Sequence, residues 1–122
     1  MIDYTHRYVQ SYPTIKLQVG ENFSGTKRLN SNEALQHFRI CQEVITNACK
    51  YSESEMLEIE GQSTDNKFSI KIKDNGIGFD LQAIQDGEHY GVKNIQKRAE
   101  VIKAAISINA AMRKGVEVKI TI

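Results

Sequence analysis

Several things are scarce in this sequence of 122 residues, and each scarcity closes a class of function. Charge of one sign is nearly cancelled: 16 Lys and Arg stand against 15 Asp and Glu, a formal net charge of +1. That balance gives no support to general nucleic-acid binding through a basic surface. No apolar run approaches the ~18 residues of a membrane span. The opening MIDYTHRYVQSY lacks the apolar core of a secretory signal. There are two cysteines, Cys41 and Cys49, in a segment that reads as helix. At about 1.5 Å rise per residue their Cα atoms lie roughly 12 Å apart, beyond the ~7 Å that a disulfide spans. Both read as reduced core residues, and a cytoplasmic protein is expected. No Cys-x-x-Cys and no paired histidine spacing exists, so a cysteine- or histidine-based metal site is not expected. Internal repeats and low-complexity segments are missing too.

What is present fits one domain with a real core. The single proline, Pro13, separates a short opening segment from a strand predicted over Thr14–Val19. Residues 21–30 read as a loop. Asn30 or Ser31 can cap a helix with Glu33 in its first turn. The helix is predicted over Asn32–Ser52. At 100° per residue, Ala34, Phe38, Cys41, Ile45, Ala48 and Cys49 share a core face. Glu43, Asn47 and Lys50 fall on the opposite side. MLEIEG and KFSIKIKD then read as a hairpin joined through QSTDN. A second helix is predicted over Val92–Ala104, with Val92, Ile95, Ala99 and Ile102 at helical spacing. The end, AISINAAMRKGVEVKITI, reads as a further hairpin turning at Arg113–Gly115. The order predicts an α/β fold, a two-layer sandwich of a mixed sheet with helices on one face.

Three features carry chemistry. The first is the Glu43, Asn47, Lys50 stripe. It reads either as a solvated helix face or as a row of tools aimed at one ligand. An amide oxygen can ligate Mg²⁺. A lysine can neutralise phosphate, and a carboxylate one turn away can polarise a nucleophile. The second is DNGIGFD, residues 74–80. Asp74 at a strand end can accept a hydrogen bond from an exocyclic amine such as that of adenine. Gly76 and Gly78 let backbone approach a flat ring or a phosphate. A turn with a capping aspartate is the plainer alternative. A dinucleotide fingerprint fails because Leu81 stands where its third glycine belongs. A calcium loop fails because Ile77 and Phe79 supply no oxygens. The third is GEHYGVKN, residues 87–94, where glycines precede a helix whose free N–H groups suit phosphate. Tyr51 can stack near a nucleotide or simply end a helix.

The three features occur together and in this order. QEVITNACKYS resembles the N box of the GHKL (Bergerat-fold) ATPases, the superfamily of histidine kinases, DNA gyrase and the heat-shock chaperone. DNGIGFD resembles the G1 box, and GEHYGVKNIQKRAEVI the G2 box with its following helix. The likeness runs over residues 35–122 and is strongest to nitrate-sensor and desaturase-sensor histidine kinases. It implies the Bergerat ATP-binding fold, with ATP and Mg²⁺ as cofactors. By that resemblance Asn47 holds Mg²⁺, Lys50 contacts phosphate and Glu43 is the catalytic residue beside the γ-phosphate. Asp74 binds the adenine amine, and Gly76 and Gly78 shape the pocket. Tyr51, Gly91 and Val92 complete the nucleotide site, and residues 81–90 form a lid.

The implied whole is the catalytic domain of a sensor histidine kinase. It spans residues 1–122, with 1–13 read as the tail of a preceding linker or helix. Its implied partners are ATP, a phosphoacceptor helical hairpin of the same protein and a downstream response regulator. Nucleic acid and membrane contact are not expected, although the parent protein can be membrane-bound. His6, His37 and His89 lack the setting of a phosphoacceptor, so the chain reads as a piece of a longer one. A stand-alone anti-sigma factor serine kinase and a non-catalytic nucleotide-binding module are the alternatives. Three departures from the family pattern stand out. Gly115-Val116 replaces the usual Gly-Thr, Ala104-Ala105 replaces a glycine pair, and the proline-ended last strand is missing. A weaker or altered adenine pocket is expected from them.

Overall fold

A computed structural model describes residues 2–50, 53–78, 92–110 and 113–122. Five strands form one mixed sheet. The elements are α1 (Ile2–Val9), β1 (Lys16–Asn22), α2 (Ser31–Lys50), β2 (Met56–Ser63), β3 (Phe68–Asp74), α3 (Val92–Val101), β4 (Ala105–Ala110) and β5 (Val116–Thr121). The strand order is β1-β2-β3-β5-β4. β1 runs parallel to β2, as a strand returning through a crossover helix must. Every other pairing is antiparallel.

Register explains why the helices share one face. One row across the sheet reads Val19, Ile59, Ile72, Val118, Ile108, and the next reads Glu21, Gly61, Ile70, Ile120, Ile106. These rows face α2 and α3: Ile59, Ile70, Ile72, Val118 and Ile120 form the core with Ile40, Cys41, Val44, Ile45, Ala48, Ile95 and Ala99, and Ile106 and Ile108 pack against it. The alternate rows read Gln18, Glu58, Lys73, Glu117, Asn109 and Gly20, Glu60, Lys71, Lys119, Ser107. They hold no large apolar side chain, so that face is solvated. There Lys71 bridges Glu60 at 3.2 Å and Glu117 at 3.8 Å.

The predicted elements are present with shifted ends. β1 lies over Lys16–Asn22, not Thr14–Val19, because pairing with β2 carries it through Gly20 to Asn22. α2 starts at a reciprocal cap. The Asn30 N–H donates to Glu33 Oε1 (2.9 Å), and the Glu33 N–H donates to Asn30 Oδ1 (2.8 Å). α3 ends earlier than predicted. Lys103 turns left-handed (φ 54°), its N–H donates to the Glu100 carbonyl and that of Ala104 to the Ala99 carbonyl. That is a Schellman ending without its usual glycine.

The opening segment is more than a tail: α1 packs on the domain, with Val9 in the core. Tyr4 stacks on Tyr8 at 5.8 Å and meets Phe38 edge-on at 5.4 Å. Ala34, expected in the core, is exposed, since the buried stretch of α2 begins only at His37. His37, Ile40 and Val44 fill the face instead. His37 is 5% exposed, lies edge-on to Phe68, and its Nε2 has no hydrogen-bond partner among the described residues. Burial pulls its pKa down to about 4. No described helix is long and apolar enough to cross a membrane.

Candidate nucleotide site

Among the rows that face the helices, where the charged Glu21 of edge strand β1 is exposed, Asp74 is a buried carboxylate. It closes β3 in the row Leu17, Leu57, Asp74, Val116, Ala110 and is 5% exposed. Burying a carboxylate in such a row is costly unless it is bonded. Part of the compensation is local: the Gly76 N–H donates to Asp74 Oδ1 at 2.8 Å. The turn with a capping aspartate is therefore present. Gly78 takes a left-handed φ of 64°, which its missing Cβ permits.

The loop behind Asp74 is fixed from two sides. Asn75 Oδ1 accepts from the Glu55 N–H and from the Met56 N–H, both at 2.9 Å. From the other side, the Arg113 N–H donates to the Ile77 carbonyl. Gly115, at φ 76°, lies where a Cβ would collide with the Asp74 carbonyl oxygen. Sequence reading placed Gly115 in a turn and missed that it forms the floor beneath Asp74. The Asn75 clamp was missed as well; the only signal was an amide beside a strand end.

The C-terminal half of α2 supplies the other wall. Glu43 is half-buried, Asn47 is 9% exposed and Lys50 is exposed. The expectation that all three lie opposite the core is corrected for Asn47. α2 is flanked by both β3 and α3, so more than one side of it is covered. Cys49 follows two residues later and is buried. Its thiol is pushed up to about 11, by burial first and by the Asp74 carboxylate second. That influence ties the end of α2 to the end of β3. Val92, the first residue of α3, is half-buried. Tyr51, Gly91 and the lid expected over 81–90, with His89, lie outside the described residues.

This geometry has known counterparts. Residues 32–122 match the family described as "Histidine kinase-, DNA gyrase B-, and HSP90-like ATPase". The chain is 30% identical to the signal transduction histidine-protein kinase/phosphatase DegS of Bacillus subtilis (strain 168), over 70% of its own length and 23% of the relative's. It is 28% identical to the oxygen sensor histidine kinase NreB of Staphylococcus carnosus (strain TM300), over 77% and 27%. The chain thus spans only about a quarter of these relatives. Among solved structures it resembles the Erythrobacter litoralis EL346 blue-light activated histidine kinase. The TM-score is 0.77 at 16% identity, covering 99% of this chain and 40% of that one. It also resembles the mycobacterial sensor histidine kinase MprB, with TM-score 0.72 at 18% identity, covering 99% and 90%. A mixed sheet with a buried strand-end aspartate, an amide-bearing helix beside it and a family match over three-quarters of the chain agree, and the chain belongs to the histidine kinase-, DNA gyrase B- and HSP90-like ATPases.

Proposed function

We propose that this chain is the ATP-binding catalytic domain of a sensor histidine kinase. It binds MgATP and presents the γ-phosphate to a histidine on a separate helical hairpin, from which a response regulator is served. The observation that carries this reading is Asp74: a carboxylate held on the core face by the Gly76 N–H, close enough to the end of α2 for its charge to act on Cys49. Residues 1–122 work as one domain in this reading, because α1 contributes Val9 to the core.

Each residue has a part. Asp74 accepts from the adenine amine. Gly76 and Gly78 keep side chains out of the ring's way. The Asn47 amide oxygen is a hard donor that suits Mg²⁺, an ion that retains waters and is otherwise held by substrate phosphates. A Mg²⁺ ion held there would neutralise charge on the phosphates. Lys50, exposed at the end of α2, reaches the phosphates as a point charge. Glu43, one turn before Asn47, stands where it can polarise the incoming nucleophile. Phosphoryl transfer asks mainly for positioning and charge neutralisation, which these groups supply.

Calorimetry with ATP, with and without Mg²⁺, tests the binding half. Labelling of a histidine-kinase hairpin domain in trans tests the transfer half. Acid-labile, base-stable phosphate is the expected product. One observation favours the non-catalytic alternative: Val116, opposite Asp74, has no hydroxyl. Nucleotide binding without any transfer to a hairpin would select that reading.

A further inference from the structure

We infer that Asn75 is a positioning residue for base recognition: its amide oxygen, bridging two backbone N–H groups of the β2 start, sets the direction of the neighbouring Asp74 carboxylate. The inference rests on the nucleotide reading above. Asn75 Oδ1 lies 2.9 Å from the Glu55 nitrogen and 2.9 Å from the Met56 nitrogen. Met56 opens β2, and Asp74 is paired with Leu57, the next residue along. The anchor therefore sits at the very end of the β2–β3 ladder, where pairing no longer fixes the backbone.

The same point gathers the other elements of the site. The Glu55 carbonyl accepts from the Lys16 N–H (2.8 Å), so β1 enters the node. The connection from α2, which carries Asn47 and Lys50, passes through Glu53 in a left-handed conformation (φ 55°) and reaches β2 here. One side chain thus ties the exit of β3 to the arrival of the α2 connection. It fixes the base-reading carboxylate relative to the phosphate-reading helix end.

Stability is not the simplest use of such a clamp. Asn75 is exposed, and water can satisfy the two N–H groups if the amide is removed. What water cannot do is hold the strand exit in one direction. Recognition through a single carboxylate depends on that direction, because hydrogen bonds weaken steeply once misaligned.

The test uses the whole chain and four probes: ATP, inosine triphosphate, inorganic triphosphate and thermal unfolding. Inosine triphosphate keeps the sugar and phosphates but lacks the exocyclic amine. The wild type should prefer ATP. Asn75→Ala should lower that preference about tenfold while leaving inorganic triphosphate binding unchanged. Asn75→Asp keeps an acceptor oxygen in place and should retain the preference. If Asn75→Ala does not fold, Asn75→Thr, with one acceptor on a shorter arm, makes the same comparison. A variant without the clamp that keeps the wild-type ATP-to-inosine ratio overturns the inference, whatever its unfolding temperature. So does equal weakening of all three ligands. A wild type with no preference for ATP overturns the nucleotide reading, and the inference with it.

Discussion

Val116 lies directly opposite Asp74 in the antiparallel ladder of β3 and β5, on the face of the sheet that the helices cover. The related ATPases usually carry threonine there, which supports the water bound to adenine. In this chain the position is apolar and half-buried. Val116→Thr is nearly isosteric and adds a hydroxyl opposite Asp74, the proposed base-reading carboxylate. It should tighten ATP binding by about 1 kcal/mol, roughly fivefold. Calorimetry on the two proteins decides it; equal affinities would mean the pocket does not use this position.

Asp74→Asn retains an oxygen for the Gly76 N–H but loses the charge. A charge-assisted hydrogen bond is worth about 1.5–3 kcal/mol, so ATP affinity should fall on the order of 10- to 100-fold. Affinity for inorganic triphosphate should not change. An unaltered ATP affinity on a folded variant removes Asp74 from the site.

Asn47→Ala should abolish the Mg²⁺ enhancement of ATP binding while sparing adenosine. The comparison needs ATP titrations with Mg²⁺ and with a chelator. If the variant's affinity still rises with Mg²⁺ as the wild type's does, the ion is held elsewhere.

Lys103 closes α3 in a left-handed conformation that glycine adopts without penalty. Lys103→Gly should therefore stabilise the domain by about 1 kcal/mol. Chemical denaturation would show a higher midpoint at an unchanged slope. A lower midpoint would mean that the lysine side chain makes a compensating contact.

The buried His37 imidazole gives the domain an acid limit. Its folded pKa, about 4, lies below the unfolded value of 6.5, and burial is the cause. The neutral ring is favoured in the fold, so its stabilisation is complete above pH 6.5. It is lost progressively as pH falls from 6.5 to 4, by about 3 kcal/mol in all. His37→Phe should flatten the pH dependence of stability across that window. An unchanged slope would assign acid sensitivity to other groups.

Much of this was legible in the sequence because the periodicities are strong. Alternation in MLEIEG, KFSIKIKD and VEVKITI named the strands. The DNGIGFD stretch singled out Asp74 because a carboxylate in that run breaks the apolar pattern. What escaped was set by partners distant in sequence. β1 extends to Asn22 only because β2 lies beside it. Asn47 is buried although helical periodicity alone assigns its side of α2 to solvent, for β3 and α3 both flank that helix. Asn75 and Gly115 matter through backbone groups of other strands, and a pattern of side chains contains no information about those.

The parallel pairing of β1 with β2 has a kinetic consequence. The hairpins β2–β3 and β4–β5 close over short connections, whereas Lys16 can meet Met56 only after the whole of α2 has been laid across the sheet. Closing that longer loop costs more chain entropy before any contact repays it. β1 is also an edge strand, held on one side only. It therefore pairs later than either hairpin closes, and it can detach without breaking any other strand pairing. Because Asp74 lies on β3, between β2 and β5, such an opening leaves Asp74 paired on both sides.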